Sequence, residues 1–308
     1  MPKENLLLRS MLFVPAYKKH FIEKSLDCKT DAIIFDMEDS VPPEYRKEAR
    51  ENLSEYFLNG RLKNKQVFIR INELDSPDYK LDMKKLFFDD LTGYMLPKVR
   101  NQKDIYNFEK KICQIEIQNH WKAGKFLFAP LIETADAIIH LDEIAKASSR
   151  NVALCFGGED YLTDLKSIYT HQNEAFIYPR SKIVVTARAN HLIPIDTPYL
   201  NLGDLEGLYK EEHDAYKIGF AGCLLVSPSQ ISPANKAFTP DKDEIRQARD
   251  IINAVHKSIM DTGLATTKYK NKLIGPPMRK RAELILEQIE LIKKYDEEKD
   301  KMKKNVES

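Results

Sequence analysis

Short apolar runs alternate with amphipathic stretches along the chain. Eight runs read as strands: residues 11–14, 32–35, 67–71, 94–96, 126–130, 152–156, 192–195 and 223–226. The spacing of apolar positions predicts helices over 19–26, 44–57, 80–88, 102–118, 135–147, 180–189, 205–218 and 242–262. Ile105, Phe108, Ile112 and Ile115 show why: they recur three or four residues apart and so share one helix face, which is core packing and nothing more. Eight alternating units without a hairpin signal predict an α/β fold, a (β/α)8 TIM barrel. A doubly wound parallel sheet has the same alternation and stands as the alternative. The pattern breaks over 266–277, where Gly275-Pro276-Pro277 stops one helix and Met278 starts another. Beyond it Leu284, Ile285, Ile289 and Ile292 form a narrow apolar face, and the mixed charges of 293–304 are expected to fray. The expected domains are therefore a catalytic barrel over 1–262 and a C-terminal helical arm over 263–308, packed on a neighbouring subunit.

Composition narrows the function class. The 308 residues suit eight strand–helix units plus an extension, and 43% hydrophobic content supplies a core. A net charge of +1 gives no basic footprint for nucleic acid and no electrostatic anchor for a membrane. No apolar run reaches transmembrane length, and Met1 to Asn5 lack the apolar segment of a signal peptide. Cys28, Cys113, Cys155 and Cys223 form no C-x-x-C pair and have no histidine at ligand spacing. They read as reduced thiols in a cytoplasmic protein.

In a barrel, chemistry gathers at the carboxyl ends of the strands. Glu133 follows one apolar run and Asp160 the next, so both acids fall on the same rim. Two oxygen ligands there, with open positions beside them, suit a hard divalent cation. The plainer reading is two surface acids or helix caps. The second strand runs into Asp36-Met37-Glu38-Asp39, three acids in four residues, which repel unless a cation or ordered water lies near. Arg70 sits inside a β-run and must be paired. Either it meets Asp36 or Glu38 structurally, or its fork grips a substrate carboxylate. Asn72, Pro97 and Lys98 complete the strand ends as candidate substrate contacts. A Schiff base at Lys98 would need desolvation that nothing nearby suggests. No G-x-S-x-G or P-loop pattern competes, and Gly157-Gly158 is too short for a dinucleotide fingerprint, reading instead as a tight turn.

From Arg9 to about Leu286 these segments resemble the citrate lyase β-subunit-like branch of the HpcH/HpaI aldolases. The matching stretches include Arg9-Ser10-Met11-Leu12-Phe13-Val14-Pro15, Phe35-Asp36-Met37-Glu38-Asp39, Ile69-Arg70-Ile71-Asn72, Leu96-Pro97-Lys98, Ile132-Glu133-Thr134, Gly158-Glu159-Asp160-Tyr161 and Ile195-Asp196-Thr197. The resemblance implies a TIM barrel binding Mg²⁺ through Glu133 and Asp160. It implies Arg70 on an α-keto acid, Glu38 and Asp39 ordering metal-bound water or substrate, and Asp36, Asn72, Pro97 and Lys98 around that substrate. The implied reaction cleaves or makes a carbon–carbon bond beside a CoA-type or acyl-carrier thioester, such as a citryl, malyl or citramalyl thioester. The implied assembly is a homotrimer or hexamer whose arm reaches a neighbour's active site.

The chain departs from that pattern at three positions. Ala16 stands where a Gly is usual and Cys223 where a Lys is usual. Gly275 occupies the arm position where the family carries an Asp, and glycine cannot transfer a proton. Two further readings follow: a keto-acid-binding barrel with lost or altered lyase activity, and a metal aldolase that uses no thioester.

Overall fold

The computed structural model describes residues 6–307 except 169 and 171–173, with side chains as far as residue 299. The signal-peptide reading of Met1 to Asn5 lies outside the described residues.

Leu8–Phe238 forms one compact unit. Its strands are β1 (Ser10–Pro15), β2 (Ala32–Asp36), β3 (Val67–Arg70), β4 (Gly93–Leu96), β5 (Leu127–Ile132), β6 (Ala153–Phe156), β7 (Ile193–Asp196) and β8 (Gly222–Leu225). Each pairs in parallel with the next, and β8 returns to β1, so the sheet closes and the doubly wound alternative is set aside. Gly222 permits that closure, because a Cβ there would collide with the Leu8 carbonyl. The helices are α1 (Lys19–Leu26), α2 (Arg46–Leu58), α3 (Pro77–Lys85), α4 (Gln102–Gln118), α5 (Ala135–Ile139), α6 (Leu141–Lys146), α7 (Gly158–Leu165), α8 (Ile177–Ala189), α9 (Leu205–Ile218) and α10 (Ile231–Ala237). The α4 stripe is buried as expected, with Phe108 edge-on to Tyr94 and Phe128. At the end of the barrel where the strands begin, Arg9 pairs with Asp31 and Arg150 with Glu116, ties that hold the framework rather than react.

Several boundaries differ from the sequence reading. The stretch 135–147 is two helices, broken at His140, whose backbone sits at φ −91°, ψ 15°. Helix α3 begins earlier than residue 80, because Ser76 caps it by accepting from the Tyr79 N–H. Helices α7 and α10 carry no sequence signal strong enough to separate them from loop, and Asp160 lies in the first turn of α7 rather than on the strand itself.

A second compact unit begins at Thr239 and takes in α11 (Lys242–Thr262), the helix expected to close the barrel. Asp241 and Glu244 form its capping box, and Gly263 ends it at φ +74°. A hairpin then appears where none was expected, β9 (Thr267–Tyr269) against β10 (Lys272–Ile274). Its turn residues Lys270 and Asn271 are both left-handed, a geometry usually flagged by glycine, which is why it escapes the sequence. Helix α12 (Pro276–Glu307) starts before Met278, packs on α11, and runs on through the charged stretch where fraying was expected. Ile289 and Ile292 are buried, but Leu284 is half exposed and does not belong to the apolar face.

Candidate active site

Asp36 and Arg70 end neighbouring strands and face each other in register. The Arg70 Nε and Nη2 donate to the two Asp36 carboxylate oxygens, each at 2.7 Å. Asp36 also accepts from the Glu38 and Ser40 amides and the Ser40 hydroxyl. Burial pushes its carboxyl up, but the Arg70 charge and these hydrogen bonds outweigh it and hold it below the usual range. Asp36 is thus fully buried and engaged with Arg70, Glu38 and Ser40. Of the two readings of Arg70, the structural pair is formed. Its Nη1 edge remains, 3.3 Å from both Glu38 and Asp39, with the Phe13 ring 4.7 Å from the guanidinium carbon.

Asn72 is buried as well. Its amide N–H and side-chain NH₂ both donate to Asp82, which Arg50 holds from α2, so Asn72 anchors the loop after β3 to α3. Pro97 is buried, and as a proline it has no N–H to offer. It leads into Lys98, which adopts φ +49°, an uncommon conformation for a lysine. The twist aims the Lys98 amide at Glu133 Oε1, 2.5 Å away. Its ammonium lies 3.4 Å from Glu38. Burial opposes that charge, but Glu38 and Asp39 outweigh it and hold the ammonium above the ordinary lysine range.

Glu38 and Glu133 carry the tension of the site. Glu38 is 4% exposed, and among the described residues its carboxylate oxygens meet the Arg70 and Lys98 cations without a hydrogen bond. Burial pushes it up to about 7 against the pull of Arg70. Glu133, 1% exposed, is pushed up to about 8 by burial, with Asp160 and Glu38 adding repulsion and the Lys98 amide opposing. Asp160 is half buried and raised, by desolvation first and the Asp39 charge second. Glu38, Asp39, Glu133 and Asp160 thus feel one another, and Arg70 and Lys98 are the cations among them. The structure brings together the acids that the sequence singled out.

Gly157 is the residue whose purpose the sequence hid. A Cβ on it would stand 2.6 Å from both Cβ and Oε2 of Glu133, so only glycine lets the exit of β6 pass beside that carboxylate. A Gly-Gly pair after a strand was the available signal, and it pointed to a turn instead.

The donor set fits a hard divalent cation. Glu133 and Asp160 offer carboxylate oxygens, and Glu133 is buried with a charge that its surroundings disfavour. Among the described residues no group of three or more His, Cys, Asp or Glu is arranged to hold a metal. The protein would then supply two ligands and leave the other positions of an octahedral ion to water and substrate.

A model of the HpcH/HpaI aldolase/citrate lyase family matches residues 9–228. The chain belongs to that family. It is an enzyme of the carbon–carbon lyase class. It is 30% identical over 280 residues to the citrate lyase subunit beta of Leuconostoc mesenteroides subsp. cremoris, covering 91% of this chain and 92% of the relative. It is 29% identical to the L-malyl-CoA/beta-methylmalyl-CoA lyase of Rhodobacter capsulatus, covering 93% and 96%. Among solved structures, a citrate lyase beta subunit from M. tuberculosis complexed with oxaloacetate and magnesium superposes with a TM-score of 0.65 at 26% identity, covering 78% of this chain and 100% of that one. RipC from Yersinia pestis gives the same score and identity, covering 79% and 100%. Among the described residues no helix is long and apolar enough to cross a membrane.

Proposed function

We propose that the protein is a Mg²⁺-dependent lyase that cleaves, or forms, a 3-hydroxyacyl thioester of the citryl, malyl or citramalyl kind, giving a 2-keto acid and an acyl thioester. The observation that carries this reading is Glu133, a carboxylate sealed from water beside Asp160 and held by the Lys98 amide, with its charge disfavoured until a cation arrives. Relatives named for citrate and malyl-CoA cleavage, and a solved relative holding magnesium and oxaloacetate, support the substrate class.

Glu133 and Asp160 would hold Mg²⁺, which would supply Lewis-acid polarisation of a keto-acid carbonyl. The chain's own groups do the rest. Arg70, locked by Asp36, presents its Nη1 edge to the keto-acid carboxylate, so orientation comes without a mobile side chain. Glu38, poised near neutrality beside the Lys98 ammonium, is the proton carrier: as the carbon–carbon bond breaks it takes the proton of the substrate's 3-hydroxyl and returns a proton to the thioester enolate, and the two transfers run in reverse on condensation. Asp39, half exposed, orders water at the mouth. The assembly follows the family resemblance, a homotrimer or hexamer with the arm on a neighbouring copy.

A second reading is a keto-acid-binding barrel with weakened lyase chemistry. Gly275 favours it. A side chain there would meet Thr266 Cγ2 at 3.4 Å, ordinary contact, yet the position carries no carboxyl.

Thermal unfolding with Mg²⁺ and each of oxaloacetate, pyruvate, glyoxylate and acetyl-CoA tests the proposal. Mg²⁺ with a keto acid should raise Tm more than either alone, and Glu133→Gln should erase the gain. No shift with any keto acid in the presence of Mg²⁺ would reject it. A shift with keto acids but not with acetyl-CoA would favour the metal aldolase that uses no thioester.

A further inference from the structure

The exit of β6 is pinned from both sides. On the β5 side, the Gly157 amide donates to the Ile132 carbonyl at 3.0 Å, one residue before Glu133. On the β7 side, the Gly158 amide donates to the Thr197 hydroxyl at 2.9 Å. Gly158 opens α7, and Asp160 lies two residues further on in the same first turn. The position of the Asp160 backbone relative to Glu133 therefore follows from these two hydrogen bonds.

Thr197 is itself held. It is 4% exposed, and its amide donates at 2.8 Å to Asp196 Oδ1. The same oxygen accepts from Arg180 Nε at 3.1 Å, and Arg180 also pairs with Glu211 on α9. The Arg180 guanidinium lies 5.4 Å from the Phe176 ring centre, and that ring also packs close to Gly158. A Cβ on Gly158 would stand 2.6 Å from Thr197 Oγ1 and 2.8 Å from Phe176 Cζ. Only a residue without a Cβ lets the start of α7 approach Thr197 this closely.

We infer that Thr197 is a positioning residue, its hydroxyl fixing the start of α7 and thereby the separation of Asp160 from Glu133. The inference rests on the proposed role of those two carboxylates as cation ligands. Such supporting hydrogen bonds typically govern tenfold to a hundredfold of metal affinity, because a ligand free to wander loses the geometry a small octahedral ion demands.

Calorimetric titration of the full chain with Mg²⁺ tests it, using Thr197→Val, Thr197→Ser, Asp160→Asn and the double variant. Thr197→Val keeps the side-chain shape and removes the acceptor. It should weaken Mg²⁺ by about tenfold or more, with Thr197→Ser staying within about twofold of the wild type. In the Asp160→Asn background, Thr197→Val should cause no further loss, since the ligand it positions is gone. Wild-type affinity in Thr197→Val, with Asp160→Asn weakened, would overturn the inference and leave the metal site standing. An equal further loss in the double variant would also overturn it, showing general softening instead. An unchanged Asp160→Asn would reject the metal site itself. Should Thr197→Val fail to fold, Thr197→Ala removes the acceptor without added bulk and is judged by the same outcomes.

Discussion

Glu133 is shut off from water and sits beside two other acids, so its ionisation has a cost that binding can relieve. With its carboxyl pushed up to about 8, a cation binding below that pH must displace a proton. Mg²⁺ affinity should therefore rise by up to about tenfold per pH unit between about pH 5 and 8, then level off. Stability has a definite sign too. The folded carboxyl holds its proton more tightly than the unfolded one, whose pKa lies near ~4.3. Below that value both states are protonated and nothing changes; between it and about 8 the metal-free protein loses stability as pH rises. Glu38, near 7, adds a loss of the same sign. Melting curves at a series of pH values, with and without Mg²⁺, check this: the metal-free Tm should fall across the window and Mg²⁺ should recover it, whereas a flat metal-free profile would contradict the burial argument. At this scale the sequence exposed the acids and Arg70, because strand ends are where carboxylates have no structural reason to cluster. It did not show that Asp36 and Asn72 are framework partners of Arg70 and Asp82. Nor could it reveal the Lys98 amide, because a left-handed lysine leaves no mark in composition.

The strands were legible as elements because each is short, apolar and bounded by polar residues, the pattern of a parallel sheet covered on both faces. Helix boundaries followed local chemistry that periodicity does not register, as with Ser76 moving the start of α3 and His140 dividing α5 from α6. Helix α7 is only eight residues long, yet it carries Asp160. The arm bears the clearest test at this scale. Gly275 lies between β10 and α12 without a left-handed backbone, and a Cβ there meets only ordinary contact with Thr266. Gly275→Asp should therefore fold as the wild type does, with matching circular dichroism. If the arm is the position from which the family supplies a proton-transfer carboxyl, the variant should raise lyase activity, against a deficit of roughly 10²–10⁴-fold in its absence. Unchanged activity in a folded Gly275→Asp protein would assign proton transfer to Glu38 alone.

For the whole molecule, the alternation of eight units announced the barrel, and the order of the site residues along the rim followed from it. A homotrimer or hexamer is an expectation from the family resemblance alone. Light scattering should accordingly give a mass of three or six times the 35.7 kDa chain, and a monomer at working concentration would contradict the expected trimer or hexamer. The central claim is that Glu133 and Asp160 hold the cation that drives carbon–carbon cleavage of a hydroxyacyl thioester. The most direct measurement is keto-acid release from citryl-, malyl- and citramalyl-CoA, followed with and without Mg²⁺ for the wild type and for Glu133→Gln. The account predicts Mg²⁺-dependent release of a 2-keto acid from at least one of the three by the wild type, and at least about a hundredfold less from Glu133→Gln. No release from any of them, or equal release by the variant, would contradict it.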